Sequence, residues 1–252
     1  MKTNTALAKM RAGKPALGAA VGLGSPLAAE IFSLAGYDFI LVDNQHGRWN
    51  DDSALLAFHM TCLGSAIPMA RVQGNDFVDI GRLLDCGAMG IVVPLVNTVA
   101  DAEAAARAMR YPPRGGRSKG PFGTSFMGQD YLDKANDEVF LAVQIESIQA
   151  VENAEKILSV DGVDGCWIGP SDLAATMGLA LSTPAERDEH LAAIMRVLEA
   201  CKKTGKIPGI AGGLDGRPWL ERGFQFVTCA SDTAYVVREG ARTLESLAEF
   251  RS

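Results

Sequence analysis

The sequence is short of the residues that mark several function classes. Its five cysteines, Cys62, Cys86, Cys166, Cys201 and Cys229, are isolated, and no C-x-x-C pair occurs. Zinc and disulfide frameworks are therefore unsupported, and each thiol reads as a small core residue in a reducing compartment. No apolar run approaches the roughly 18 residues that cross a membrane. The opening stretch, MKTNTALAKMRAGKPALG, lacks the apolar core of a secretion signal. Positive charge is not in excess: the net charge is −6, which disfavours a nucleic-acid or anionic-membrane binder. GGRSKG lacks the G-K-[ST] ending of a phosphate-binding loop. Histidine is scarce, with three among 252 residues. None of the nine lysines falls in a predicted strand; Lys206 only precedes one, at the end of the barrel away from the chemistry. An imine-forming barrel enzyme needs a lysine inside the barrel, so Schiff-base chemistry is not expected. The expectation is a soluble cytoplasmic protein.

What is present is a recurring corner. SLAGYDFILVD, LDCGAMGIVVP, VDGVDGCWIGP and LERGFQFVTCA each end a helix, place a glycine, and launch a short apolar strand. Glycine suits the left-handed position that stops a helix, and an all-apolar strand suits a parallel sheet covered on both faces. Helical patterns such as DDSALLAFHMTCLG, FVDIGRLLDCG and ERDEHLAAIMRVLEACKKTG lie between the corners. Eight strands are predicted, near 17–22, 38–43, 67–71, 90–94, 139–146, 164–169, 207–211 and 225–229. Alternating β and α units in this number predict an α/β protein of the (β/α)8 TIM-barrel type, one domain over 1–252. A long connection joins the fourth and fifth strands at about 110–138; after DAEAAARAMRY its glycine-rich stretch, PPRGGRSKGPFGTSFMGQDYL, has no helical or strand period. It is expected to be a lid or an interface. Arg114, Arg117 and Lys119 within it suggest an acidic co-substrate or else solvated charge.

Barrel chemistry sits where strands finish. The second strand ends at Asp43, with His46 in the loop beyond. The third ends at Arg71, and the fifth at Glu146, with Gln144 two positions earlier on the same inward face. The sixth runs into Gly169-Pro170-Ser171-Asp172. A carboxylate at an apolar barrel mouth is costly without a cation or donor, and two on neighbouring strands repel. A divalent metal between Glu146 and Asp172 removes both difficulties. An oxygen-only ligand set suits Mg2+ or Mn2+. The alternatives are a helix N-cap for Asp172 and an ion pair with Arg71 for Glu146. Arg71 offers a planar fork for a carboxylate or a developing oxyanion. His46 is able to move a proton near neutral pH, with Asp43, three residues earlier, orienting its ring. Gly169 and the glycines of GLGSP would let a small ligand approach the backbone. His59 and His190 fall within helical patterns and receive no role.

Together GYDFILVDNQHG, RLLDCGAMGIVVPLVNT, RYPPRG, VQIESIQAVEN and VDGVDGCWIGPSDLAATMG resemble the HpcH/HpaI family of metal-dependent pyruvate aldolases, over residues from about 5 to 248. The resemblance implies a (β/α)8 barrel in a homo-oligomer, a hexamer or trimer of dimers with helix exchange. It implies a divalent metal (Mg2+, Mn2+ or Co2+) on Glu146 and Asp172, and Arg71 at the enolate oxygen. It also implies Asp43 and His46 handling the aldol proton. Gln144 and the main chain around Gly169, Pro170 and Ser171 would bind the 2-oxo acid. The reaction implied is reversible cleavage of a 4-hydroxy-2-oxo acid to pyruvate and an aldehyde. A citryl- or malyl-CoA-lyase-like reaction and a macrophomate-synthase-like reaction are the alternatives. One departure stands out: family members commonly carry glutamate before the histidine, and this chain has Gln45.

Overall fold

A computed structural model describes residues 1–251. Eight parallel strands pair in sequence order and close on themselves. They are β1 (Ala16–Val21), β2 (Phe39–Asp43), β3 (Ile67–Arg71), β4 (Gly90–Val93), β5 (Phe140–Ile145), β6 (Gly165–Ile168), β7 (Gly209–Ala211) and β8 (Phe226–Ser231). The helices are α1 (Thr5–Arg11), α2 (Pro26–Leu34), α3 (Asp51–Thr61), α4 (Phe77–Cys86), α5 (Val99–Met109), α6 (Tyr131–Glu138), α7 (Ile148–Leu158), α8 (Pro170–Thr176), α9 (Pro184–Thr204), α10 (Arg217–Arg222) and α11 (Asp232–Ser246). Among the described residues, no helix is long and apolar enough to cross a membrane.

The predicted barrel is therefore present, and its corners work as expected. Gly36, Gly87, Gly162 and Gly223 all have positive φ, from 90° to 114°, which a side chain would resist. Strand seven is shorter than predicted. Pro208 has no N–H to give the ladder, so Ile207 makes only an isolated bridge to Gly165.

Side-chain alternation along the strands builds two cores. Ile40, Val42, Ala70, Ile91, Leu141, Val143, Cys166 and Ile168 face outward and pack under the helices. Phe39, Leu41, Ile67, Met69, Phe140, Ala142, Trp167 and Phe226 fill the barrel interior. There Phe226 stacks on Phe39 at 4.5 Å between ring centres and meets Phe140 edge-on at 5.0 Å. Truncating such a buried ring to alanine costs about 3–5 kcal/mol. The inward series continues past this floor: Leu41 leads to Asp43, Met69 to Arg71, and Ala142 to Gln144 and Glu146. One period-2 pattern thus fills the barrel below and delivers polar groups to its mouth.

The other end is closed by α1, which the sequence reading missed. Asn4 caps it, accepting from the Leu7 N–H at 2.9 Å, and Leu7 and Met10 are buried against the interior rings. An Asn N-cap followed by apolar residues three apart was the available signal.

The long connection is also placed at this end, which corrects the expectation of a lid. It follows α5, whose course returns the chain to the strands' N-terminal rim. There Arg117 Nη2 donates to Asp85 Oδ1 at 2.6 Å, near the close of α4, and Gly123 N–H donates to the Asp85 carbonyl at 2.8 Å. The Asn4 N–H reaches Glu138 Oε2 at 2.6 Å. Arg117 is buried, with Tyr111 and Tyr131 rings 4.5 and 5.8 Å from its Cζ. Arg114 pairs with Asp137 at 2.5 Å. Arg117 holds the connection to its own barrel's floor, Arg114 pairs within the connection, and neither faces the strand-end residues.

Candidate active site

Asp43 and Arg71 are the last residues of β2 and β3 and stand opposite each other in register. Arg71 Nε donates to Asp43 Oδ1 at 2.9 Å and Nη2 donates to Oδ2 at 2.6 Å, a two-point fork on a carboxylate. Arg71 is 8% exposed, and its Cζ lies 5.3 Å from the centre of the Trp167 ring. Its Nη1 makes no hydrogen bond among the described residues.

Asp43 is not bound to the His46 ring, and the expected carboxylate–imidazole pair is corrected accordingly. Oδ1 also accepts the backbone N–H groups of Gln45 at 3.1 Å and His46 at 3.3 Å. An aspartate followed by a tight turn satisfies the turn's own amides, and the remaining lone pairs are taken by Arg71. His46 is left exposed at the rim, its ring without a hydrogen bond among the described residues.

Glu146 follows β5 and is only 2% exposed. Oε1 accepts the Leu95 N–H at 2.9 Å, and Oε2 accepts from the Gln144 amide. Leu95 has φ of 56°, a left-handed conformation that costs a non-glycine residue about 1–3 kcal/mol. The bond to Glu146 is what that conformation secures. The carboxyl titrates above its ordinary range. Burial is the main cause and the Asp172 charge adds to it; the Leu95 N–H, Arg71 and Gln144 pull the other way without prevailing. The proposed alternative for Glu146, an ion pair with Arg71, is not formed, because the fork of Arg71 is engaged by Asp43.

Asp172 is the third residue of α8. Gly169 occupies the N-cap, and no side chain caps this helix. The capping alternative is therefore not realised. The Asp172 carboxylate is exposed and, among the described residues, makes no hydrogen bond or salt bridge. Its neighbour Ser171 is likewise exposed. Gly169 is buried against the two strand-five side chains: a Cβ there would lie 2.9 Å from Glu146 Oε2 and 3.0 Å from Gln144 Nε2. Glycine keeps that space open beside the carboxylate. In the GLGSP loop, by contrast, the Gly22 and Leu23 amides are taken by the Asp232 carboxylate at 3.0 Å.

Two residues escaped the sequence reading. Leu95 acts through its backbone, for which no side-chain signal exists. Trp167 was legible: alternation along GCWI turns it inward between Cys166 and Ile168. It pairs in register with Gln144, and its indole Nε1 and the Gln144 Oε1 are both buried without a protein partner. Unpaired buried polar atoms cost roughly 1–3 kcal/mol each, so this layer is built to meet something polar. A surface cavity of about 550 Å3, lined by Met10, Arg11, Lys202, Lys206 and others, opens near the opposite end and contains none of these groups.

A barrel with this rim has counterparts. The model of the HpcH/HpaI aldolase/citrate lyase family matches residues 20–238. The chain belongs to that family. A hydroxypyruvate/pyruvate aldolase from Rhizorhabdus wittichii is 42% identical over 88% of this chain and 90% of its own length. A 4-hydroxy-2-oxo-heptane-1,7-dioate aldolase from Escherichia coli is 38% identical over 97% of this chain and 94% of its own. The crystal structure of an HpcH/HpaI aldolase/citrate lyase family protein from Burkholderia cenocepacia J2315 superposes with a TM-score of 0.87 at 32% identity, covering 99% of this chain and all of that one. HpcH/HpaI membership makes the chain a carbon–carbon lyase, since both activities in the family's name break such a bond.

Proposed function

We propose that the chain is a divalent-metal-dependent aldolase that reversibly cleaves a 4-hydroxy-2-oxo acid into pyruvate, or a similar 2-oxo acid, and an aldehyde. The observation that carries this reading is the Glu146–Asp172 pair: a desolvated carboxylate held above its ordinary pKa, partly by the charge of a second carboxylate that has no partner of its own. A hard cation fits these residues. The donors are all oxygen, and Gly169 leaves room beside Glu146. Among the described residues no group of three or more His, Cys, Asp or Glu side chains is arranged around one point. Two carboxylates suit Mg2+, Mn2+ or Co2+ held with water and substrate oxygens.

When bound, the cation would act as Lewis acid and template for the 2-oxo acid. The chain's own groups do the rest. The fork of Arg71 is locked by Asp43, so its free Nη1 is a fixed donor for the oxyanion that develops as the bond between carbons three and four breaks. Trp167 beneath it keeps water away from one face. Gln144 holds Glu146 in place and contributes an unpaired carbonyl to the substrate layer. Main-chain groups of the Gly169–Pro170–Ser171 segment receive the substrate carboxylate. His46 takes the hydroxyl proton in cleavage and returns it in condensation; Asp43 sets the turn that carries it. With Gln45 in place of the usual glutamate, one negative charge is missing beside this proton path. No lysine lies on any of the eight strands, so no strand side chain is able to form an imine with the 2-oxo acid.

The same reading makes the enzyme a cytoplasmic homo-oligomer, a hexamer or trimer of dimers. Of α11 only Asp232 is buried, while Val236 and Val237 are 65% and 67% exposed, and Leu27, Ile31 and Leu34 of α2 are more than 60% exposed. Apolar helix faces of this extent call for a second copy.

The test follows pyruvate methyl protons in D2O by NMR, with metal-stripped enzyme and with added Mg2+, Mn2+ or Co2+, and then screens aldehydes in the presence of the active metal. Metal-dependent exchange followed by aldol formation is expected. Exchange that survives chelation would remove the cation from this account.

A further inference from the structure

We propose that His190, on α9, is a positioning residue that sets the metal-binding geometry of the Gly169–Asp172 segment; the inference rests on the reading of Asp172 as a ligand. His190 Nε2 lies 2.9 Å from the Pro170 carbonyl oxygen. A carbonyl only accepts, so Nε2 carries the proton and donates. Among the described residues, this is the only hydrogen bond that any side chain makes to residues 169–172. Beyond the α8 helix's own ladder, the backbone adds Gly169 N–H to the Ile145 carbonyl at 3.3 Å and Leu173 N–H to the Gly169 carbonyl at 3.0 Å, at the segment's edges.

Position makes the bond consequential. The peptide unit whose oxygen His190 holds is the one joining Pro170 to Ser171. It is planar, so fixing the oxygen fixes the direction of the Ser171 N–H on its other side. Proline already restricts its own φ. Asp172 follows one residue later, in the first turn of a helix only seven residues long and without a side-chain cap. Among the described residues, no other side chain hydrogen-bonds to that turn; its remaining anchors are the buried Leu173 and Ala174. The imidazole is also out of place for packing alone. It is 8% exposed and is the first buried residue of α9, at the point where the helix meets the barrel and where leucine or isoleucine would serve a purely apolar contact. Burying a polar ring there is favourable only because its N–H finds the carbonyl.

The test measures Mn2+ binding without substrate, by EPR or calorimetry, on wild type, His190→Gln, His190→Asn and His190→Phe. Glutamine carries an N–H at about the reach of Nε2, whereas asparagine falls short. The Gln variant is expected to bind close to wild type. The Asn and Phe variants should bind about tenfold more weakly, as loss of a group that orients a ligand does. In them the apparent KM for Mn2+ should rise while kcat recovers at saturating metal. If the Phe variant does not fold, Gln against Asn decides. Wild-type affinity in all variants, or equal loss in Gln and Asn, overturns the inference. A wild-type protein that takes up no Mn2+ overturns the metal reading itself, and this inference with it.

Discussion

Asp43 grips Arg71 by two hydrogen bonds, of 2.9 and 2.6 Å, across directly paired positions of β2 and β3. The ion pair costs the fork two of its donors and leaves Nη1 as a rigid one. Lysine keeps the charge but not the fork. Arg71→Lys is therefore expected to lose about 10²–10³-fold in kcat, the usual effect of removing one oxyanion donor, with metal affinity little changed. Arg71→Met should also destabilise by about 3 kcal/mol, because it strands the Asp43 carboxylate. Steady-state kinetics and urea melts check the two effects separately.

Glu146 predicts an inverted pH effect. Its pKa is raised in the folded state. Between the ordinary carboxylate value and the raised one, the folded protein holds a proton that the unfolded chain has released. Stability of the metal-free protein thus falls as pH rises through that window, and the penalty is complete above it. Glu146→Gln should melt higher than wild type at neutral pH without metal, and the gain should vanish below about pH 4. Added Mn2+ should stabilise wild type and not the variant, whose aldol activity should be lost. Differential scanning fluorimetry over pH 3.5–8, with and without Mn2+, reads all three outcomes.

The barrel was legible because one physical rule recurs before β2, β4, β6 and β8: a helix stop at glycine, then a strand apolar on both faces. The same period-2 alternation singles out Asp43, Arg71, Gln144 and Glu146 as one inward series. What the sequence could not carry is the pairing. Whether Asp43 meets the ring of His46 or the fork of Arg71 depends on register across strands, not on spacing along one. Leu95 enters through a main-chain N–H, which no side chain announces. The glycine-rich connection misled for a related reason: its length suggests a lid, but which end of the barrel it covers follows from Arg117 meeting Asp85, two residues far apart in sequence.

That placement is testable. Arg117→Met removes a buried cation from Asp85 and from between two tyrosines at the barrel floor. A loss of about 3 kcal/mol in stability is expected. At a temperature where the variant stays folded, KM for every aldehyde should match wild type. An acceptor-dependent change in KM would return the connection to the active site.

His46 is exposed and bonded only through its backbone. His46→Ala should leave stability within about 0.5 kcal/mol of wild type. Mn2+ binding should persist, because no bond links the ring to Glu146 or Asp172. Aldol cleavage should fall by about 10²–10⁴-fold, the range for a lost proton-transfer group. Cleavage at the wild-type rate would remove His46 from the mechanism.

Gly169 gives the sharpest steric test of the cation site. A methyl group there would stand 2.9 Å from Glu146 Oε2 and 3.0 Å from the Gln144 amide, closer than either can tolerate. Both are side-chain ends, so they can shift by a few tenths of an ångström, as must the Glu146 Cβ at 3.1 Å, and the barrel will still close. The φ of Gly169 is −97°, within reach of alanine, so backbone strain does not enter. Gly169→Ala should therefore fold, with a melting temperature near wild type. The displaced carboxylate should still weaken Mn2+ binding by about 10–100-fold. Reduced Mn2+ affinity at unchanged stability is a combination that a site elsewhere on the protein would not produce. Full Mn2+ affinity in Gly169→Ala would mean that Glu146 does not hold the cation.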